Sequence, residues 1–116
     1  VDNYEKQLER ERTLETVARL ELLREEIKEN GVAVGEYVKE DNFKCLCLLG
    51  YAKRQLGIDP HSKETAEHIK AVMEKLFRPL GFVTPYQVVD YNDNTSPFHM
   101  IQLLTKTINR MKKDLG

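Results

Sequence analysis

Between Phe98 and Leu115, the apolar residues Ile101, Leu104, Ile108, Met111 and Leu115 recur at spacings of three, four, three and four. Lys106, Arg110 and Lys113 fall on the opposite side of the same helical projection. This is a helix with a narrow apolar seam and a basic back, and such a seam is stable only when another helix covers it. The fold must therefore supply a facing helix, either from this chain or from a second one. Thr95-Ser96-Pro97 lead into the segment, so the helix is expected over about 97–115.

The N-terminal half offers a long candidate. Residues 4–29 read as one helix closed by Asn30-Gly31, with Gly31 suited to a left-handed C-terminal cap. Its apolar residues change sides. Tyr4, Leu8, Leu14, Ala18 and Leu22 share one face, while Val17, Leu20, Leu23 and Ile27 share the other. Such a helix is either sandwiched within the domain at its C-terminal end or projects its N-terminal end toward a partner subunit. The run Glu5, Lys6, Glu9, Arg10, Glu11, Arg12 reads as a solvated surface, supported by i,i+4 pairs such as Glu15–Arg19.

Further along, Val32-Ala33-Val34 leans toward β structure. Asp41 or Asn42 is placed to cap a helix over about 42–56 that Gly57 ends. Ser62 is placed to cap another over about 62–78, with Ile69, Val72, Met73, Leu76 and Leu80 as its core stripe. Tyr86-Gln87-Val88-Val89-Asp90-Tyr91 reads as a strand over 86–91, for which Val32–Val34 is the local pairing candidate and the same strand of a second subunit the alternative.

A length of 116 residues leaves room for one core, so 1–116 is expected to be a single domain. No apolar run approaches the roughly 20 residues that a membrane span needs, and Val1-Asp2-Asn3-Tyr4 has no basic start followed by an apolar block. Net charge is −1, spread thinly: ten Lys/Arg against twelve Asp/Glu in residues 1–58, and eight against seven in 59–116. That balance does not suit a chain coated in phosphate contacts, so nucleic-acid binding would need a local face or an oligomer. Cys45 and Cys47 stand too close for ordinary disulfide geometry and read as buried thiols of a reducing, cytoplasmic compartment.

Candidate chemistry is sparse. Cys45, Cys47, His61, His68 and His99 match no zinc spacing. Glu25-Glu26-x-x-Glu29 resembles the first half of the magnesium site in the all-helical nucleoside-triphosphate pyrophosphatases. The second Glu-x-x-Asp element is missing, with Asp90-x-x-Asp93 the nearest substitute. Asp90-x-Asn92-x-Asn94 opens like a calcium loop but has Thr95 and Ile101 where the glycine and the bidentate glutamate belong. His61 and Ser62 lack a third group to orient them.

The layout from Tyr4 to Glu64 resembles the small terminase subunits of tailed phages. A charged helix ends in Leu23-Arg24-Glu25-Glu26-Ile27-Lys28-Glu29-Asn30-Gly31, a short link follows, and a helix runs into Leu56-Gly57-Ile58-Asp59-Pro60-His61-Ser62-Lys63. The resemblance implies an oligomeric, non-catalytic DNA-binding partner of a packaging ATPase. The chain departs from that pattern at Asn42-Phe43, where the family often has Asn-Pro, and residues 65–116 have no counterpart in it.

Taken together, the sequence predicts a mainly α, four-helix compact domain with a minor β element of one or two short strands. The expected function is a non-enzymatic helical interaction and oligomerisation domain, an accessory subunit with no cofactor and no membrane partner. Its partners would be a second copy (a dimer or larger) and an unidentified protein, met through the seam Ile101, Leu104, Ile108, Met111 and Leu115. The alternative is a DNA-binding accessory protein of phage or mobile-element type, using Lys106, Arg110, Lys112 and Lys113. A metal-dependent nucleotide hydrolase ranks third.

Overall fold

The computed structural model describes residues 3–35, 38–39 and 42–116. The fold is mainly α. Helix α1 spans Asn3–Asn30, a short antiparallel hairpin pairs β1 (Val38–Lys39) with β2 (Asn42–Leu46), and α2 spans Leu48–Gln55. Helix α3 (Ala66–Val72) continues into a π turn over Met73–Phe77, and α4 (Pro85–Asn94) and α5 (Pro97–Leu115) complete the chain. No helix among the described residues is long and apolar enough to cross a membrane.

The core forms around one face of α1. Val17, Leu20, Leu23 and Ile27 are buried, and Gly31, at φ 75°, ends the helix by donating to the Ile27 carbonyl at 2.9 Å. Helix α5 runs antiparallel along this face, fastened by Arg10 Nη1 to the Leu115 carbonyl at 2.7 Å and Arg24 Nη1 to Thr105 Oγ1 at 3.1 Å. On α2, Arg54 pairs with Glu26, and Gln55 Nε2 donates to the Arg19 carbonyl at 3.1 Å. Leu76, Phe77, Val88 and Met100 fill the space between these helices.

Buried Asn92 ties three segments together. Its Oδ1 accepts from the Leu48 N–H at 2.9 Å, and its Nδ2 donates to the Ala33 carbonyl at 2.9 Å. Leu48 is the first residue of α2, where backbone N–H groups have no partner within the helix. Cys47 Sγ caps the same helix by accepting from the Gly50 N–H at 3.3 Å.

Several expected boundaries move. Residues 86–91 are helix, not strand. Thr84 and Gln87 form a reciprocal capping box and Pro85 occupies the first turn, and these fix a helix start that outweighs the β propensity of Tyr-Gln-Val-Val-Asp-Tyr. With α4 added there are five helices among the described residues instead of four. Val32–Val34 is not a strand, although the Ala33 N–H donates to the Leu46 carbonyl at 3.0 Å. The helix expected over 42–56 starts only at Leu48, because 42–46 pairs as β2; Asp41 lies outside the described residues. The helix expected from Ser62 starts at Ala66, capped by Thr65 accepting from the His68 N–H at 3.1 Å, while Ser62 Oγ donates to the Asp59 carbonyl at 2.6 Å.

Two substitutions test this packing. Ile108→Ala should cost about 2–4 kcal/mol by removing a side chain 1 % exposed in the α1–α5 core. Asn92→Leu should cost about 1–3 kcal/mol by stranding the Leu48 N–H and the Ala33 carbonyl. Urea unfolding monitored by circular dichroism reads both, and wild-type midpoints would contradict the assigned packing.

Candidate interaction surface

The seam residues of α5 meet a helix of the same chain. Leu104 and Ile108 are buried, and Ile101 and Met111 are partly buried against the same core. Leu115 is half-buried at the far end, where its carbonyl accepts from Arg10. Met100 and Thr107 are buried beside the expected seam, which widens the packed face.

The back of α5 carries the basic residues. Lys106, Arg110, Lys112 and Lys113 are all exposed. Lys112 Nζ reaches Glu21 Oε2 at 3.4 Å and Arg110 Nη2 donates to the Pro79 carbonyl at 3.2 Å, so both are held toward neighbouring elements. Lys106 and Lys113 point outward with exposed Phe98, Gln102 and Asn109, which recur with them at helical spacing. Neither Lys53 nor Arg54 extends this face. Lys53 is 1 % exposed with its Nζ donating to the Ser62 carbonyl at 3.2 Å, and Arg54 is engaged by Glu26.

The other side of α1 is different in character. Leu14 and Leu22 are 47 % and 51 % exposed, and Ala18 between them is exposed as well. The three stand at i, i+4 and i+8 on the side opposite Val17, Leu20, Leu23 and Ile27. Exposed Glu11, Glu15, Glu25 and Glu29 flank them, and the helix places no lysine or arginine within the stripe. Glu15 is held by Arg19 at 2.9 Å, whose guanidinium lowers the carboxyl pKa, and Glu25 by Lys28 at 3.5 Å. The helix is thus not sandwiched; it offers an apolar strip with acidic margins.

The remaining candidates have structural work. Glu26 is bound to Arg54, and Asp93 accepts from the Gly35 N–H at 3.1 Å. Among the described residues, no three His, Cys, Asp or Glu side chains stand where they could hold a metal ion. Cys45 and Cys47 are buried and form no disulfide; His61 is exposed in a turn, and His99 Nδ1 lies 2.8 Å from Ser96 Oγ at the start of α5. A largely apolar cleft of about 180 Å³ opens between α2 and α4, lined by Gly35, Cys47, Leu49, Val88, Val89 and Asn92 among others. Its polar wall residues Asn92 and Asp93 are already hydrogen-bonded within the fold.

Compared with known proteins, the chain matches no family model, no curated protein and no solved structure. The surface must be read from its own chemistry.

Burial pushes the Cys47 thiol pKa up, against the smaller opposing effect of backbone N–H groups at the start of α2. A raised native pKa gives a stabilising contribution that is complete while the thiol is protonated. That contribution is lost as pH climbs past the unfolded-chain value of about 8.5. Stability should therefore fall between pH 7 and about 9.5, and fall less in Cys47→Ser, which keeps a capping oxygen. Denaturant titrations at both pH values measure the two slopes, and equal slopes would remove Cys47 as the cause.

Proposed function

We propose that this chain is a non-enzymatic helical interaction domain that self-associates, serving as an accessory subunit of a larger assembly. The observation carrying this reading is the exposed Leu14–Ala18–Leu22 strip on a helix whose opposite face is fully committed to the core. Full burial of an exposed leucine gains about 1.5–3 kcal/mol, so covering these two half-exposed side chains contributes roughly half of that each. The stripe from Glu11 to Glu29 runs about 27 Å along the helix, long enough to seat a helix of a second copy. The two buried thiols outside any disulfide fit a cytoplasmic, reducing setting.

A DNA-binding accessory role of phage or mobile-element type is the second reading, supported by exposed Lys106 and Lys113 on the back of α5. Two such lysines form a small phosphate-contacting set, and the acidic margins of α1 would oppose a nucleic-acid backbone on their side.

Sedimentation equilibrium across a hundredfold dilution range around micromolar concentration tests the leading reading. The expected outcome is a mass above 13.5 kDa that falls on dilution. Leu14→Asp with Leu22→Asp should abolish association while leaving the melting temperature within a few degrees of wild type, since both positions are surface sites. A single 13.5 kDa species at every concentration would end this reading.

A further inference from the structure

Resting on the self-association reading, we infer that the α1 strip docks on the outward face of α5 of a second copy, joining copies head to tail. The choice of occupant follows from charge. Suppose first that two α1 strips packed on each other about a two-fold axis centred at Ala18. Leu14 would then meet Leu22 of the second copy, but Glu11 would meet Glu25 and Glu15 would meet Glu21. Glu29 would meet Gln7, and Glu15, Glu21 and Glu25 keep their pairings with Arg19, Lys112 and Lys28, so the clash is carried by Glu11 facing Glu25 on both sides of the axis, and like-charge juxtaposition across an interface is costly. The strip requires an apolar anchor flanked by cations.

The back of α5 has that composition. Phe98 is 65 % exposed, and Gln102, Lys106, Asn109 and Lys113 continue its line on the side away from Leu104 and Ile108, with no carboxylate among them. From Phe98 to Lys113 the line is about 22 Å long, close to the length of the α1 stripe. In either direction along α1, Phe98 can sit on a leucine with Gln102 over the small Ala18. In the parallel register Lys106 then falls over Leu22 with its ammonium one turn from Glu25, and Lys113 falls over Glu29; in the antiparallel one Lys106 falls over Leu14, next to Glu11 and Glu15. Phe98 supplies the ring that covers one leucine, Gln102 lies over the small Ala18, and the lysines approach the acidic margins.

Because the two faces differ, the contact is heterologous. Each copy offers one strip and one basic face, so assembly proceeds until a ring closes or a filament grows. Opposite charges at its rim also make the contact weaken as salt rises.

Two variants, each damaged on one face, decide the matter: Leu14→Asp with Leu22→Asp on α1, and Lys106→Glu with Lys113→Glu on α5. Circular dichroism melts first establish that both fold, and Leu22→Gln and Lys106→Gln replace them if either does not. In light scattering, each variant alone should lose self-association by more than tenfold. Mixed one to one, they should form a dimer that grows no further, joining the intact α5 face of the first to the intact α1 strip of the second. Wild-type assembly with no such dimer in the mixture overturns the head-to-tail geometry and leaves self-association standing. A wild type that stays monomeric overturns both. A monomeric wild type held by duplex DNA at low salt, with retention lost in the Lys106→Glu, Lys113→Glu variant, would reassign the basic face to nucleic acid.

Discussion

The rest of the molecule depends on the burial of one side of α1. Val17, Leu20, Leu23 and Ile27 are at most 4 % exposed, and α5, α2 and the π turn after α3 all reach that side. A helix of 28 residues is about 42 Å long, whereas the longest dimension of the molecule is 50 Å. One helix therefore sets the length of the whole chain. Shorter helices laid against it bury a single continuous core, and each contributes one face. The cost of this arrangement is that α1 is covered on one side only, and its far side keeps whatever the sequence placed there.

A second constraint holds the smaller elements. The hairpin and the start of α2 are tied to the helical body through Asn92, whose side chain is shared between Leu48, Ala33 and Asp93. A buried amide with both ends bonded specifies position more sharply than an apolar contact would, because hydrogen bonds are directional. Tyr51 adds to the same region by donating to the Gly31 carbonyl at 2.6 Å, next to the turn that ends α1. These polar links fasten a segment whose own strands are too short to be stable alone.

Much of the helical frame was legible in the sequence. The 3.6-residue period of 97–115 and the Asn30-Gly31 stop marked α5 and α1 directly, because long amphipathic segments repeat their signal several times. Short segments do not. Residues 86–91 carry only two turns of helix, and in so short a window the β-branched and aromatic content suggests a strand. The decisive signal was Thr84-Pro85-Tyr86-Gln87, a capping box with proline in the first turn, which is local and independent of periodicity. Cys47 capping α2 through sulfur had no such sequence signature, and neither did the pairing of 42–46, which depends on a hairpin partner. For the surface, the two-faced apolar pattern of α1 was visible at once. Which face the core would claim was not, since that depends on where α5, α2 and the π turn pack.

Charge placement decides what the uncovered face can meet. With a net charge of −1, the chain as a whole exerts little long-range attraction on any partner. Its surface is nevertheless divided: the outward stripe of α1 carries glutamates without lysine or arginine, and the outward line of α5 carries lysines without a carboxylate. Within a few ångströms, where screening is incomplete, such a division acts as two opposite partial surfaces on one body. Such a division disfavours contact between like faces and favours contact between unlike ones. A two-fold axis at Ala18 would set Glu11 against Glu25, so the same residues that keep the leucine strip hydrated in the free chain also disfavour its simplest symmetric use. In the head-to-tail assembly proposed above every interface joins different faces, and near-neutral net charge would keep successive copies from repelling one another as they add.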